Sequence, residues 1–280
     1  MTTSTSTLAV ADGTLAYEIH GSDGPLVVLA HGMGDDRRSW DAVVPDLVAA
    51  GHRVAAVDLR GCGGSSAAWS SYGQGDIAGD LIALVRHLGG PAALVGHSIA
   101  GGAATIAASR EPELVRALVE VGPFTRKQSV AIRDLGVAAY RRGALRLMGA
   151  VMLGSRGMWR RYLELATPGR RPADWDARLA RIDAMLREPG RMTALKRMGV
   201  SGTAESDPAL AGIRVPVLVL QGSADPDWVD PRAEADAIVA ALPAGLGRVQ
   251  MVEGAGHYPH VQEPAAVAAG IVSFLGAVRA

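Results

Sequence analysis

Nine residues, Leu94-Val95-Gly96-His97-Ser98-Ile99-Ala100-Gly101-Gly102, restrict the fold more than any other part of the chain. The apolar run Ala92 to Val95 reads as a buried strand, and the small residues Ala100 to Ala108 read as a helix. The chain must therefore turn sharply at Ser98. Such a turn lifts a side chain out of the sheet and sets it at a helix N-terminus. There, free N–H groups and the positive end of the helix dipole favour developing negative charge. The turn residue is expected in a sparsely populated backbone conformation costing roughly 1–3 kcal/mol. Its neighbours two residues away must be small. Gly96 meets that demand and Ala100 meets it less fully, so the pattern is G-x-S-x-A. Gly101 and Gly102 weaken a helix interior, and their presence predicts close packing against the sheet. The plainer alternative is a Gly/Ala-rich strand-helix joint with an inert serine.

The rest of the chain supplies partners for that unit. Leu8–Ala11 and Leu15–His20 flank Asp12-Gly13, a hairpin signal. Leu26–Ala30, Arg53–Val57 and Val115–Val121 read as further strands. Helices are expected over Trp40–Ala50, with Ser39 as N-cap and Gly51 as stop, and over Asp76–Leu88, capped by Asp76 and ended by Gly89-Gly90-Pro91. Apolar strands alternating with helices predict an α/β fold with a mostly parallel central sheet flanked by helices. The alternation breaks at Gly122-Pro123. To about Pro208 only helical pieces are read, and then a strand at Val215–Gln221, a helix at Pro231–Leu242, a strand at Val249–Val252 and a helix at Pro264–Val278 follow. The division is therefore a core of residues 1–122 and 209–280, with 123–208 inserted as a helical unit.

A serine hydroxyl is a weak nucleophile. It needs a base, usually histidine, whose tautomer is fixed by a carboxylate. Open α/β sheets place such groups in loops at the carboxyl ends of strands. Two loops qualify: Gly222-Ser223-Ala224-Asp225 after one late strand, and Glu253-Gly254-Ala255-Gly256-His257 after the next. The order Ser98, Asp225, His257 is the one given for hydrolases on this kind of sheet. Negative charge on a carbonyl oxygen would be held by the N–H of Ile99 and, from His31-Gly32-Met33-Gly34, by the N–H of Met33.

With these residues in place, the chain resembles the α/β-hydrolase fold family from Leu8 to Val278. His31-Gly32 matches the family's oxyanion motif, Asp58-Leu59-Arg60-Gly61-Cys62-Gly63-Gly64-Ser65 its D-x-R-G-x-G-x-S loop, and Gly96-His97-Ser98 its nucleophile elbow. Asp225 matches the acid, and Gly254-Ala255-Gly256-His257 the base. Ala100 departs from the usual glycine. The resemblance implies that 123–208 is a helical cap. Relatives that open epoxides or remove halide carry aspartate at the nucleophile position, so Ser98 argues against both. Serine-bearing relatives include esterases, lactonases, thioesterases, acyl-transferring enzymes and hydrolases of carbon–carbon bonds in diketone-like compounds. The expectation is hydrolysis of a small or medium carboxylic ester. The alternatives are carbon–carbon cleavage by the same three residues and a hydrolase-fold receptor with little turnover.

Other side chains compete for these roles or fill structural ones. Asp227 rivals Asp225 as the acid, and Glu120 in its apolar strand is a remoter rival, while Asp230 before Pro231 reads as a helix N-cap. His97 reads as packing, His31 as a loop-orienting residue, and Asp58 as a loop anchor with Arg60 as its partner. His257 and His260 lack the further ligands of a metal site, and neither metal nor organic cofactor is expected. Cys62, the only cysteine, excludes an internal disulfide and reads as a small filler. Zero net charge gives no case for nucleic-acid binding. Neither a signal peptide within Met1 to Thr7 nor a membrane-spanning run is read, so the expected location is cytoplasmic. Between Arg126 and Met198, 17 Lys and Arg face 6 Asp and Glu, an excess of 11 positive charges. A solvated helical face explains that excess; a cap drawing in carboxylate- or phosphate-bearing small-molecule substrates is the alternative. Trp40, Trp228, Met148 and Met152 are the expected pocket walls.

Overall fold

A computed structural model describes residues 5–128 and 131–279. The N-terminal part of the expected leader-free segment lies outside the described residues. Strands β1 (Ser6–Val10), β2 (Gly13–His20), β3 (Leu26–Ala30), β4 (Arg53–Val57), β5 (Ala92–His97), β6 (Val115–Val121), β7 (Val217–Gly222) and β8 (Gly247–Val252) form one sheet in the order β1-β2-β4-β3-β5-β6-β7-β8. β1–β2 and β2–β4 pair antiparallel and every other pair is parallel. The helices are α1 (Val44–Ala49), α2 (Gln74–His87), α3 (Ile99–Arg110), α4 (Ala138–Leu153), α5 (Arg156–Ala166), α6 (Trp175–Arg187), α7 (Arg191–Gly199), α8 (Ser206–Ala209), α9 (Pro231–Ala241), α10 (Pro259–Gln262) and α11 (Pro264–Arg279). β3 is a continuous apolar run, and β4, β5 and β7 are apolar over most of their length, because helices cover both faces, whereas β8 at the sheet edge carries Arg248 and Gln250. One core holds α2, α3 and the helical section, and the other holds α1 and α11. None of the described helices is long and apolar enough to cross a membrane.

Several local expectations shift. The hairpin pairs Val10 with Gly13, so the turn is Ala11-Asp12 and Gly13 already belongs to β2. A Cβ at Gly13 would lie 2.9 Å from the Trp69 ring, so close approach rather than turn geometry calls for glycine there. Ser39 does not cap a helix. A single 3-10 turn, Arg37–Trp40, comes first, and the Asp36 carboxylate accepts from Arg38 N–H at its start. Asp76 lies inside α2, and its carboxylate accepts from the N–H of the N-cap residue Gly73 at 2.9 Å. Asp230 caps α9, accepting from Ala233 N–H at 3.0 Å, with Pro231 following.

No strand occurs among the described residues between β6 and β7, where α4 to α8 lie. Part of that section's positive charge fastens it to the sheet domain. Arg178 on α6 pairs with Asp35, both buried, and Arg181 pairs with Asp36 at 2.8 Å. Arg191 on α7 donates to the carbonyls of Ser65 and Gly63 at 2.7 and 2.8 Å. Arg178→Ala would strand the buried Asp35 carboxylate, and a loss of about 3–5 kcal/mol in urea unfolding is expected. A paired Asp35→Asn, Arg178→Met variant should recover much of that loss, because it removes both charges together.

Candidate active site

β5 ends in the turn that the small residues allow. Ser98 has φ +56°, ψ −121°, the only positive φ of a non-glycine among the described residues. A Cβ at Gly96 would stand 2.2 Å from the Ala100 carbonyl oxygen. The demand for smallness therefore falls on position 96, and the methyl of Ala100 is accommodated in the core. Gly101 and Gly102 do mark close packing: a Cβ at Gly101 would meet Pro123 and Gly96 of β5, and one at Gly102 would meet Gln74 and Phe124. Ser98 is held through its backbone: its N–H donates to Val121 O at 3.0 Å, and its carbonyl accepts from Gly101 and Phe124 N–H.

Ser98 and His257 line one cavity of ≈ 640 Å³, together with Met33 and Ile99. No hydrogen bond joins the Ser98 hydroxyl to the His257 ring; such bonds commonly tighten only when substrate is bound. Ile99 opens α3, so its N–H has no partner within the helix, and Met33 sits in the loop after β3. Gly32 must be glycine because a Cβ there would lie 2.6 Å from His97 Nδ1 and 3.0 Å from Ser98 Cβ.

The His257 ring is fixed on its far side. Nδ1 donates to Asp225 Oδ2 at 3.0 Å, and Asp227 Oδ2 lies 3.3 Å from the same nitrogen. Asp225 also accepts from Gln221 Nε2 at 2.9 Å and from Asp227 N–H at 3.0 Å. Asp227 accepts from the Tyr162 hydroxyl on α5. The His257 backbone is pinned as well: its N–H donates to Ala166 O at 2.8 Å, and its carbonyl accepts from His97 Nε2 at 2.9 Å. Burial alone would push the imidazole down, but the charges of Asp225 and Asp227 outweigh it and carry His257 up to about 9. Burial, with Asp225 alongside, raises the Asp227 carboxyl. His97 and His260 are driven well below the usual imidazole range, first by burial and then by neighbouring positive groups, and so stay neutral. Asp225, Asp227 and His257 could offer ligand atoms within 4.8 Å of one another. Their facing atoms are already engaged by one another, Gln221 and Tyr162, an arrangement that orients an imidazole.

The expected pocket walls need correction. Trp40 is fully buried beneath the sheet and stacks on His260 at 4.2 Å, because the 3-10 turn carries it inward. Met148 and Met152 point outward, 59% and 61% exposed. Trp228 packs on Phe124 at 5.3 Å and lines, with Asp227, a neighbouring cavity of ≈ 260 Å³ that shares Lys127 and Gln128 with the first. The walls are instead Phe124, Leu147, Trp159, Tyr162 and Met198. Phe124 was signalled by its place just past the end of β6. Tyr162 and Trp159, three apart on α5, share one helix face, but nothing in the sequence says which face looks down.

The remaining assignments resolve simply. Asp58 anchors its loop through Arg37, not Arg60; it also accepts from Gly64 N–H at 2.7 Å, whereas Arg60 binds Asp80 at 2.8 Å. Glu120 lies away from the cavity, holding the hydroxyls of Thr105 and Thr125. His31 orients its loop, donating to Gly32 O at 2.7 Å and accepting from Leu59 N–H at 3.0 Å. Burial, then the nearby Asp58 charge, pushes the Cys62 thiol up to about 12, which leaves it inert as a nucleophile.

The sheet order, the elbow and the loops at the strand ends agree with the family comparison. The model of the alpha/beta hydrolase fold family matches residues 25–264, and the chain belongs to that family. Over nearly its whole length it is similar to the protein named "Putative carbamate hydrolase RutD" of Variovorax paradoxus, 29% identical across 95% of this chain and 97% of that one. It is 33% identical to Epoxide hydrolase B of Mycobacterium tuberculosis, over 52% of this chain and 38% of that protein. A solved hydrolase structure from Pseudomonas aeruginosa superposes with TM-score 0.73 at 26% identity, covering 97% of this chain and 98% of that one.

Proposed function

We propose that this protein is a serine hydrolase that cleaves small or medium carboxylic esters. Ser98 Oγ attacks the acyl carbonyl, and His257 takes its proton. Asp225 holds the imidazole in the tautomer that leaves Nε2 free to accept. The N–H groups of Ile99 and Met33 receive the oxyanion; a single such donor contributes about 10²–10³ in rate. His257 then protonates the departing alcohol, forming an acyl-enzyme on Ser98, and water activated by the same imidazole releases the acid. The scheme needs neither metal nor organic cofactor. The observation that carries it is the strained Ser98 in one cavity with an imidazole held at 3.0 Å by a buried carboxylate. Residues 123–208 act as the cap, since Leu147, Trp159, Tyr162 and Met198 cover the cavity from that section. These walls suit an apolar acyl group. Lys127 also lines the cavity and is the place where an anionic substrate end would sit. A lone cysteine held as a buried thiol suits the reducing cytoplasm.

A second reading has one observation behind it: the full-length likeness to a relative named for carbamate hydrolysis. A carbamate also presents an acyl carbonyl, and the same groups would serve. The epoxide likeness is outweighed by the residue at 98, because the covalent opening of an epoxide by this family uses a carboxylate. A panel of nitrophenyl esters of increasing acyl length, an aryl carbamate and a vinylogous diketone, each run against Ser98→Ala, tests the proposal. The expected result is Ser98-dependent turnover of esters at least about tenfold above the other two classes. Turnover confined to the carbamate or the diketone, or binding of these compounds with no turnover at all, would contradict it.

A further inference from the structure

The large apolar side chains exposed among the described residues are not scattered. All but Val229 belong to the helical section between β6 and β7. On α4, Leu145, Met148 and Met152 follow an i, i+3, i+7 spacing that makes one stripe, and they are 59%, 59% and 61% exposed. Leu153 at its end is 79% exposed, and Val200, just past α7, is 64% exposed. Grouped apolar exposure of this kind marks a surface that something covers. The stripe also adjoins the cavity of Ser98. Leu147 of the same helix lines that cavity, and so do Gly199 and Ser201 on either side of Val200.

The charges around the stripe indicate what covers it. Arg141 and Arg142 stand exposed at its N-terminal end. The guanidinium groups of Arg141 and Arg146 donate to the carbonyls of Leu135 and Arg161, and neither has an ion pair among the described residues. Lys196 lies against Gly154 at the other end, and neither Arg142 nor Lys196 has an ion pair among the described residues. A second copy of the chain would bring one strongly basic section against another. An apolar helix face bordered by cations that no carboxylate answers is the arrangement that settles into the headgroup boundary of a negatively charged lipid layer.

We propose that this face docks the protein on an anionic phospholipid surface, with the mouth of the Ser98 cavity turned toward the lipid. The attachment is peripheral. It needs no membrane-spanning run, because the apolar residues form a stripe and not a continuous segment. One consequence rests on the ester-hydrolase reading: lipid-soluble esters would enter the cavity from the bilayer side. The docking itself does not depend on turnover.

Co-sedimentation with vesicles of phosphatidylcholine alone, or of phosphatidylcholine mixed with phosphatidylglycerol, tests the proposal. Partitioning onto the mixed vesicles is expected to be at least about tenfold stronger than onto phosphatidylcholine, and to weaken as salt is raised. The double variant Leu145→Asp, Met152→Asp should lose about tenfold or more of that partitioning while keeping its melting temperature and its rate on a water-soluble ester. Ser98→Ala should sediment like the unmodified protein, so failure of the catalytic reading and failure of docking are separately visible. Equal partitioning onto both vesicle types, no partitioning, or a double variant that still binds fully would overturn the proposal. So would a dimer in solution that the double variant abolishes.

Discussion

Ser98→Ala is expected to lower kcat on a nitrophenyl ester by about 10⁶-fold, the size of effect seen when the nucleophile of a Ser-His-Asp group is removed. In the proposed scheme this hydroxyl forms the acyl-enzyme, and no second hydroxyl or thiol stands at the turn among the described residues lining the cavity. The variant should melt close to the unmodified protein, because alanine at φ +56° carries the same backbone strain as serine. Ser98→Gly separates strain from chemistry. It should be equally inactive yet gain up to about 2 kcal/mol in urea unfolding. Relief of roughly 1–3 kcal/mol at the strained position is offset by the roughly 0.5–1 kcal/mol that glycine's extra unfolded-state freedom costs. A Gly variant less stable than the Ala variant would count against strain at this turn.

The two aspartates beside His257 should separate just as clearly. Asp225→Asn is expected to lower kcat about 10⁴-fold, since the amide would favour the wrong imidazole tautomer. Asp227→Asn should keep most of the activity near pH 9, because Asp225, at 3.0 Å, still orients the ring and asparagine still accepts from Tyr162. Its effect should appear in the pH profile. His257 works as a base only when neutral, and two carboxylates hold its proton on to about pH 9. Removing one negative charge makes that proton easier to lose. The acid limb of kcat/KM should therefore move down by about one unit in Asp227→Asn. A limb that stays in place or moves up would show that Asp227 does not act on His257 electrostatically, and equal losses from both variants would make the acid a joint one.

Much of this arrangement was legible because its demands are local. Gly96 and Ser98 announce a turn that few residue types allow, and a strand must end before Asp225 and before His257 for either to reach the sheet rim. Asp230 before Pro231 signals a helix start by its own chemistry. The pocket walls were not legible, for a geometric reason. Neighbouring residues on a helix point about 100° apart. Met148 and Leu147 are thus chemically alike, yet one faces outward and the other lines the cavity. Trp40 shows the same limit: its side chain could have faced the rim, and the 3-10 turn capped by Asp36 sends it under the sheet instead. The Tyr162–Asp227 and Arg178–Asp35 contacts join residues far apart along the chain, and nothing local distinguishes Arg178 from the solvated arginines of the same section. For Asp58, the neighbour in sequence, Arg60, was the natural guess, but the fold delivers Arg37.

The central claim is that the oxygen at position 98 is the nucleophile, and covalent capture tests it most directly. Incubation with a fluorophosphonate probe, digestion and mass spectrometry should place the label on the peptide containing Ser98. Labelling should vanish in Ser98→Ala and slow strongly when His257 is replaced by alanine. Stoichiometric label that persists in Ser98→Ala, or that maps to a different residue, would contradict the account.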